Sequence, residues 1–247
     1  MLVLSSGICD IGRVRKTNQD SICIINDKYF YAVADGMGGH NGGDIASKMC
    51  TDILSQGVSN SQPENKREFL YQLIRRVNEK IYQKSQDIPE LQGMGTTLTG
   101  FFIDDKHINI FNIGDSRVYL ISNQKIFQLT KDHSLVQEKI NIGVYDREAA
   151  SLDKQKNVLV RSVGFEPNVE ADIFRYRYHK NDIFLVCSDG LHGKVSDADI
   201  LFLTNSIISN PINAANEDLA RLVQKLVDLA NQNGGQDNIS VISVLIK

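Results

Sequence analysis

Aspartates recur next to β-type segments along this chain, each beside a glycine or another small residue. In the stretch ADGMGGHNGG at 34–43, Asp35 follows an apolar run at 29–34. The same arrangement recurs at Asp115, Asp189 and Asp237. A carboxylate at a strand end, beside glycines that let the backbone approach closely, offers oxygen ligands to a hard cation. A plain Asp-Gly turn accounts for any one of these alone, but the repetition favours a shared site.

Clustered carboxylates would repel one another unless a cation offset their charge. The candidate cluster consists of Asp20, Asp35, Asp115, Asp189 and Asp237. Its ligands are all oxygen, without the His and Cys pattern of a zinc site, so Mg²⁺ or Mn²⁺ is the natural occupant. With no obvious nucleophilic Ser or Cys, a metal-bound water is the expected attacking group, and a pair of metals about 3.5–4 Å apart could activate it.

Two arginines lie in the loop that precedes Asp20. Arg13 or Arg15 could hold a substrate phosphate there through a bidentate contact. The residues alone therefore predict metal-dependent hydrolysis of a phosphoester.

Short β-type runs and amphipathic helical patterns would position these residues. The β-type runs occupy 2–9, 21–25, 29–34, 97–103, 108–113, 117–121, 125–129, 169–178, 183–187 and 239–246. The successive hairpins between 97 and 129 imply antiparallel pairing. Helical periodicity covers 45–54 with Asp44 as the N-cap, 69–81 and 219–230, and Ser196 with Asp199 resembles a capping box at the start of a further helix. Helices inserted between strands would cover one face of a sheet.

The segment 130–164 has a looser pattern. Residues 135–140 predict a short helix, and the polar residues after them provide few core positions. A mobile surface flap and an ordinary long connection both fit this composition.

Composition favours a single globular domain over the 247 residues. Hydrophobic residues make up 42% of the chain, and the net charge of −3 argues against a nucleic-acid partner. No apolar run is long enough to predict a membrane span, and the apolar run near the N-terminus is too short, and lacks the basic residues, to predict a signal peptide. The four cysteines show no CxxC spacing, which is typical of reduced thiols in a cytoplasmic protein.

Seven short motifs resemble, in order and spacing, the type 2C metal-dependent Ser/Thr protein phosphatases of the compact bacterial kind. They are RKTNQD at 15–20, ADGMGGH at 34–40, GMGTT at 93–97, GDSR at 114–117, LTKDHS at 129–134, CSDGL at 187–191 and GGQDN at 234–238. The resemblance extends from about residue 5 to the C-terminus, nearly the whole chain. It implies an α+β fold, in which a sandwich of two antiparallel β-sheets carries a helix pair on each outer face.

The resemblance also implies a role for each candidate residue. Asp35 would bridge two metal ions, with the Gly36 carbonyl as a further ligand. Asp189 and Asp237 would complete this binuclear site, and Asp20 would act directly or through bound water. The remaining roles are phosphate binding by Arg15, a third and weaker metal site at Asp115, and support of the site by Asn238.

Some positions depart from the family pattern. Gln19 stands where many relatives carry Glu, and Asp153 falls where relatives often have His. Met37 stands where eukaryotic members have a His proposed as general acid, so His40 or metal-bound water would supply the leaving-group proton. The remaining histidines are interpreted as turn or surface residues: His107, His133, His179 and His192.

The function implied is hydrolysis of phosphoserine and phosphothreonine in proteins, with two Mn²⁺ or Mg²⁺ ions and a possible third. The phosphorylated partners would be targets of a Ser/Thr kinase or the kinase itself, and the protein would act as a monomer. Two alternatives stay open. One is a phosphatase of the same fold that acts on a phosphorylated anti-sigma-type regulator, and the other is a non-catalytic module that binds phosphoproteins.

Overall fold

The strands of the computed structural model form two antiparallel sheets. The structure describes residues 2–38, 42–146, 149, 153, 155 and 157–247. The five-stranded first sheet has the order β1 (Val3–Asp10), β11 (Ile239–Ile246), β10 (Ile183–Cys187), β7 (Arg117–Ser122) and β8 (Lys125–Gln128). The second sheet has the order β2 (Asp20–Ile25), β3 (Phe30–Met37), β5 (Leu98–Ile103), β6 (His107–Ile113) and β9 (Asp172–Arg177), and the short β4 (Gly95–Thr96) also pairs with β3.

The two sheets pack face to face around an aromatic and aliphatic core. Tyr31, Phe101 and Phe184 are fully buried there. Their rings form a continuous contact, with centroids 5.3 Å apart between Tyr31 and Phe101 and 5.5 Å apart between Phe101 and Phe184. Burying a side chain of this size stabilises the fold by about 1.5–3 kcal/mol relative to leaving it exposed.

A pair of long helices covers the outer face of each sheet. Helices α1 (Gly43–Ser59) and α2 (Lys66–Asp87) pack on the second sheet. Two short helices follow at one end of the sandwich, α3 (Leu135–Asn141) and α4 (Asp189–His192). Helices α5 (Asp197–Ile207) and α6 (Asn216–Gln232) pack on the first sheet. The predicted sandwich of two antiparallel sheets flanked by helix pairs is therefore confirmed.

The helices form where the apolar spacing predicted them. In α6 the apolar residues of the predicted face are all buried, namely Leu219, Leu222, Val223, Leu226, Val227 and Ala230. The capping interaction predicted for α5 is also present, because the Ser196 side chain accepts a hydrogen bond from the Asp199 amide. Such a cap stabilises a helix by about 1 kcal/mol.

Two local predictions are wrong, and both errors involve glycine. The N-cap of α1 is Gly42, with φ of 107°, so Asp44 lies in the first turn instead. A positive φ favours glycine over any other residue at that cap. Strand β3 also does not end at Asp35; it continues to Met37 because Gly36 pairs with Thr96 of β4.

The segment after β8 begins with α3, one residue longer than predicted. Ser134 caps this helix by accepting a hydrogen bond from the Gln137 amide, and an isolated bridge joins Ser134 to Leu159. The predicted flap spans 130–164, and residues 147, 148, 150–152, 154 and 156 lie outside the described part of the chain. Its mobility stays a prediction.

None of the helices in the described ranges is long and apolar enough to cross a membrane.

Candidate active site

Asp20 and Asp35 face each other across two neighbouring strands. Asp20 begins β2, and in the antiparallel register it lies directly opposite Asp35 of β3. Side chains opposite each other in such a pair have Cβ atoms about 4.5–5.5 Å apart, and like charges there destabilise the pair. The sheet register therefore forces two carboxylates together at one end of the sandwich.

Three further chain segments bring their aspartates to the same end. Asp115 follows β6, Asp189 begins α4 after β10, and Asp237 precedes β11. Burial is the largest cause that raises the pKa of Asp35 well above its ordinary value, followed by the negative charges of the other four members of the set, Asp20, Asp189, Asp115 and Asp237. All five predicted carboxylates thus share one electrostatic environment.

The pKa values of the other buried carboxyls are shifted in the same direction. Burial, and then repulsion by Asp189 and Asp132, raises the pKa of Asp115 well above its ordinary value. Burial and the nearby Asp237 raise the pKa of Asp189. For Asp20, burial raises the pKa to about 6, although hydrogen bonds from serine side chains partly oppose this.

Two threonines of the GMGTT motif fix the backbone of Asp35. The Asp35 amide donates to Thr97 Oγ1 at 3.0 Å, and the Asp35 carbonyl accepts from the Thr97 amide at 2.8 Å and from Thr96 Oγ1 at 2.9 Å. Thr97 Oγ1 also lies 2.9 Å from Ser116 Oγ, next to Asp115. Buried hydroxyls therefore connect the two strand ends that carry Asp35 and Asp115.

Gly36 allows the close approach on which the β3 end depends. A Cβ at Gly36 would overlap the carbonyl oxygen of Gly43 at the start of α1 and come within 2.5 Å of the Gln19 carbonyl oxygen. The Gly36 amide donates to that same Gln19 carbonyl at 3.0 Å. Only glycine fits between the helix start and the loop that leads to Asp20.

Asn238 supports the loop that carries Arg15. Its Oδ1 accepts from the Gln19 amide at 2.8 Å, while its Nδ2 donates to the carbonyls of Ile11 and Thr17 at 2.9 and 3.1 Å. The Asn238 amide donates to Asp237 Oδ1 at 2.9 Å. One buried amide side chain thus holds the arginine loop against the strand that presents Asp237.

Arg15 reaches from this loop to the carboxylates. Its Nη2 donates to Asp237 Oδ2 at 2.8 Å, and its side chain keeps 49% of its surface exposed. The hydrogen bond from Arg15 to Asp237 is the largest cause that raises the pKa of Arg15. The guanidinium is therefore fixed at one end and free to contact a ligand at the other.

A cavity of about 620 Å³ opens in front of these groups. The residues that line it include Arg15, Arg117, Lys194, Asp115, Asp189 and Asp237. Asp132 of the LTKDHS motif holds Arg117 in a bidentate ion pair, with an Nη2–Oδ2 distance of 2.7 Å. The cavity is large enough for a phosphorylated side chain and part of its backbone.

The donors in this cluster fit a hard cation. Asp20 Oδ1 is buried and accepts no hydrogen bond, while Oδ2 accepts from Ser188 Oγ at 2.8 Å. A buried anionic oxygen without a donor costs free energy unless a cation meets it. Among the described residues, no group of three or more His, Cys, Asp or Glu side chains is already arranged as a set of metal ligands, and Asp237 takes its positive partner from Arg15.

The structure describes the four histidines that were predicted to be turn or surface residues. His179 is exposed and His107 partly exposed, as predicted. His133 is buried, and burial lowers its pKa. His192 is partly exposed and ends the short helix α4; its Nε2 lies 3.0 Å from the Asp115 carbonyl oxygen, and desolvation of the ring lowers its pKa well below the ordinary value. The sequence misled at His133 because polar neighbours surround this residue, whereas the fold packs its ring against the Gly114–Asp115 turn.

Two further predicted positions complete the comparison. His40, the candidate proton donor, lies outside the described residues. Asp153 forms an ion pair with Lys139 of α3 at 2.9 Å, so it holds the segment after β8 together instead of reaching the carboxylates.

Sequence reasoning missed the residues that hold the candidate ligands. Thr97, Ser188 and His133 each contact the backbone or side chain of a cluster segment. The only signal was their place inside the motifs GMGTT, CSDGL and LTKDHS. Hydroxyl and imidazole groups of this kind have no periodicity that would distinguish them from ordinary loop residues.

The raised pKa of Asp20 predicts how stability changes with pH when metals are chelated. A carboxyl whose pKa is higher in the folded than in the unfolded state binds more protons in the native state. The free energy of unfolding therefore falls as the pH rises from about 4, the unfolded pKa, through about 6, the folded pKa. Asp20 lowers the free energy of unfolding by about 3 kcal/mol at most over this range, since each pKa unit corresponds to about 1.36 kcal/mol.

The measurement is thermal unfolding of the wild type and of Asp20→Asn in excess chelator, between about pH 4.5 and about pH 7.5. The Asn variant keeps His133 and His192, whose lowered pKa values give the opposite slope below about pH 6.5. We expect the wild type to lose stability relative to the variant as pH rises. A constant difference would mean that Asp20 is not held in a repulsive, desolvated position.

Known proteins match the chain along nearly its whole length. Residues 13–240 match the family model described as Protein phosphatase 2C. The serine/threonine phosphatase stp of Listeria monocytogenes is 36% identical over 242 residues, which cover 95% of this chain and 92% of that protein. The crystal structure of the Mycobacterium tuberculosis serine/threonine phosphatase PstP/Ppp superposes with a TM-score of 0.89 at 30% identity and covers 100% of both chains. The catalytic domain of the phosphatase PstP, solved in complex with two manganese ions, superposes with a TM-score of 0.87 at 30% identity over 99% of each chain.

Proposed function

The chain belongs to the protein phosphatase 2C family, and we propose that it hydrolyses phosphoserine and phosphothreonine in proteins with Mn²⁺ or Mg²⁺ held by its clustered carboxylates. The observation that carries this function is the clustering of five aspartates, three of which line one cavity together with a half-exposed arginine. The names of the relatives as serine/threonine phosphatases favour this reading over a non-catalytic module.

The residues divide into metal ligands, a phosphate contact and supports. Asp35, Asp189 and Asp237 would hold two metal ions with the Gly36 carbonyl, and Asp20 would act directly or through water. Asp115 would serve a third site. When bound, such ions would polarise a phosphoryl oxygen and supply a water molecule of lowered pKa as the attacking group. The solved PstP catalytic domain, with its two manganese ions, supports a binuclear site.

Arg15 would orient the substrate. A phosphoryl group at the cavity mouth would meet the exposed face of the guanidinium, which presents paired N–H donors in a fixed fork. The same arginine stays anchored to Asp237, and through Asn238 its loop stays anchored to the neighbouring strand. The substrate phosphate would therefore be held at a fixed place relative to the carboxylate cluster.

The direct test is phosphate release from a panel of phosphoserine, phosphothreonine and phosphotyrosine peptides in the presence of Mn²⁺. We expect the first two to be hydrolysed and phosphotyrosine peptides to be poor substrates. A panel that also contains a phosphorylated anti-sigma-type regulator separates the main function from the alternative. Peptide binding without any phosphate release would instead identify a binding module.

Arg15→Lys should lower kcat/KM on a phosphopeptide by about tenfold to a hundredfold. The change keeps the charge but removes the fork, and hydrogen bonds to charged groups contribute about 1.5–3 kcal/mol. The measurement is steady-state kinetics at saturating Mn²⁺. Arg13→Lys in the same loop is the matched control and should change little. Equal, small losses of kcat/KM in both variants would mean that Arg15 is only a surface cation.

We extend the proposal to the protein's partners, its oligomeric state and its location. The phosphoproteins would be substrates of a Ser/Thr kinase, or the kinase itself. The chain would act as one domain, since both helix pairs pack on one sandwich, and it would act as a monomer. The four unpaired cysteines support a reducing, cytoplasmic location.

A further inference from the structure

The turn that carries Asp115 is tight and depends on its backbone hydrogen bonds. Gly114 has φ of +104°, and a Cβ there would come within 2.6 Å of the Thr97 side chain. Because Asp115 follows directly, any rotation of the Gly114 peptide would swing the Asp115 carboxylate. The groups that bind Gly114 therefore decide where this carboxylate lies.

His133 binds both polar groups of the Gly114 backbone. Its amide donates to the Gly114 carbonyl at 2.8 Å, and its ring Nδ1 accepts from the Gly114 amide at 3.2 Å. An Nδ1 that accepts an N–H cannot itself carry a proton, so the ring proton belongs on Nε2. The geometry thus selects one neutral tautomer of a buried ring.

The far side of the ring faces a small ionic group. Nε2 lies 3.2 Å from Asp172 Oδ2, at an angle too bent for a well-formed hydrogen bond. Asp172 in turn pairs with Arg161 at 3.2 Å. The His133 carbonyl accepts from the Val160 amide at 2.9 Å, so the same residue also joins the two ends of the segment after β8.

We propose that His133 is a positioning residue that holds the Gly114–Asp115 turn in the orientation needed for Asp115 to bind a metal ion. The contact that matters is the acceptor at Nδ1, because it is the ring atom that touches the turn. The ion pair at Nε2 only orients the ring. This inference rests on the proposed role of Asp115 in metal binding, and it assigns a function to the LTKDHS motif that the carboxylate cluster itself does not explain.

Two substitutions distinguish the contact made by Nδ1 of the imidazole from the contact made by Nε2. His133→Asn places an amide oxygen near the position of Nδ1 and keeps the acceptor for Gly114, whereas His133→Gln places an amide nitrogen near Nε2 and loses that acceptor. Residues that orient metal ligands typically contribute about tenfold to a hundredfold in metal affinity. We expect His133→Gln to weaken the weakest Mn²⁺ binding step by about tenfold, and His133→Asn to weaken it less than about threefold.

The measurement is the Mn²⁺ binding isotherm of each variant, obtained from the electron paramagnetic resonance signal of free Mn²⁺. Thermal unfolding in chelator shows whether the two variants are equally folded. Glu170→Ala, which removes an exposed carboxylate two residues before Asp172, is the surface control and should leave the isotherm unchanged. Equal effects of the Asn and Gln variants on Mn²⁺ binding, or no effect of either, would overturn the proposal.

A second measurement needs no variant and decides the matter if either substitution prevents folding. In ¹⁵N NMR spectra of the Mg²⁺-loaded wild type, His133 should show a proton on Nε2 and a coupling across the hydrogen bond between its Nδ1 and the Gly114 amide. A proton on Nδ1 would overturn the proposal. Wild-type phosphatase activity is measured in parallel, so a failure of the proposed function shows there and stays distinct from a failure at His133.

Discussion

Asp35→Asn should lower kcat/KM on a phosphopeptide by about 10³-fold or more, which corresponds to about 4 kcal/mol of lost transition-state stabilisation. Asp35 interacts electrostatically with all four other carboxylates of the cluster, so it occupies the centre of the site. An amide in its place keeps the shape but loses the negative charge that Asp35 would offer to a metal ion. The measurement is steady-state kinetics of the wild type and of the Asp35→Asn variant at saturating Mn²⁺.

The same substitution should leave the fold intact. The contacts that hold Asp35 in place, to Thr96 and Thr97, go through its backbone and survive the change. Replacing a buried acid that four neighbours repel removes an unfavourable charge, so metal-free Asp35→Asn should unfold at the same temperature as the wild type or higher at neutral pH. Asp105→Asn, at an exposed carboxylate far along the second sheet, is the control and should change neither quantity. An Asp35→Asn enzyme with more than about a tenth of wild-type activity would contradict the central role of this residue.

The identity of the carboxylate cluster could be predicted because each member lies at a boundary that sequence makes visible. Asp115, Asp189 and Asp237 stand where apolar runs meet small residues, and these boundaries correspond to real strand ends. Asp35 lies within the cluster although its strand continues for two more residues. The residue types were thus a better guide than the exact element bounds.

What holds the cluster together could not be predicted, because it depends on register and on long-range contacts. That Asp20 lies opposite Asp35 follows from the pairing of β2 with β3, and a shift of one residue would have turned one carboxylate to the other face. Asn238 binds a loop more than 200 positions earlier in the chain, at the Gln19 amide. No local pattern encodes such contacts.

The two histidines near Asp115 show the same limit. His133 follows polar residues, and His192 stands between Leu191 and Gly193 just after the Asp189–Gly190 pair, and so both were assigned to turns or to the surface. The fold instead places each beside the Asp115 turn, where one accepts an amide hydrogen bond and the other meets the Asp115 carbonyl oxygen. Local polarity predicts exposure only when no other segment packs over the residue.

Removal of divalent metal should abolish the activity. The cluster contains only oxygen donors, which suit Mn²⁺ and Mg²⁺, and the described residues near it offer no Ser or Cys nucleophile in hydrogen-bond contact with a histidine base. Arg15 alone can hold a phosphate but cannot activate water. We therefore expect the loss to exceed that of any single ligand substitution.

The measurement that tests the account most directly is phosphate release from one phosphothreonine peptide in Mn²⁺, in excess chelator, and in chelator followed by excess Mn²⁺. Chelator should reduce the rate to that of a blank without enzyme, and readdition of Mn²⁺ should restore it. The far-ultraviolet circular dichroism spectrum should stay the same in all three conditions, which shows that the loss is not unfolding. Undiminished hydrolysis in excess chelator would contradict the assignment of the five aspartates to a metal centre.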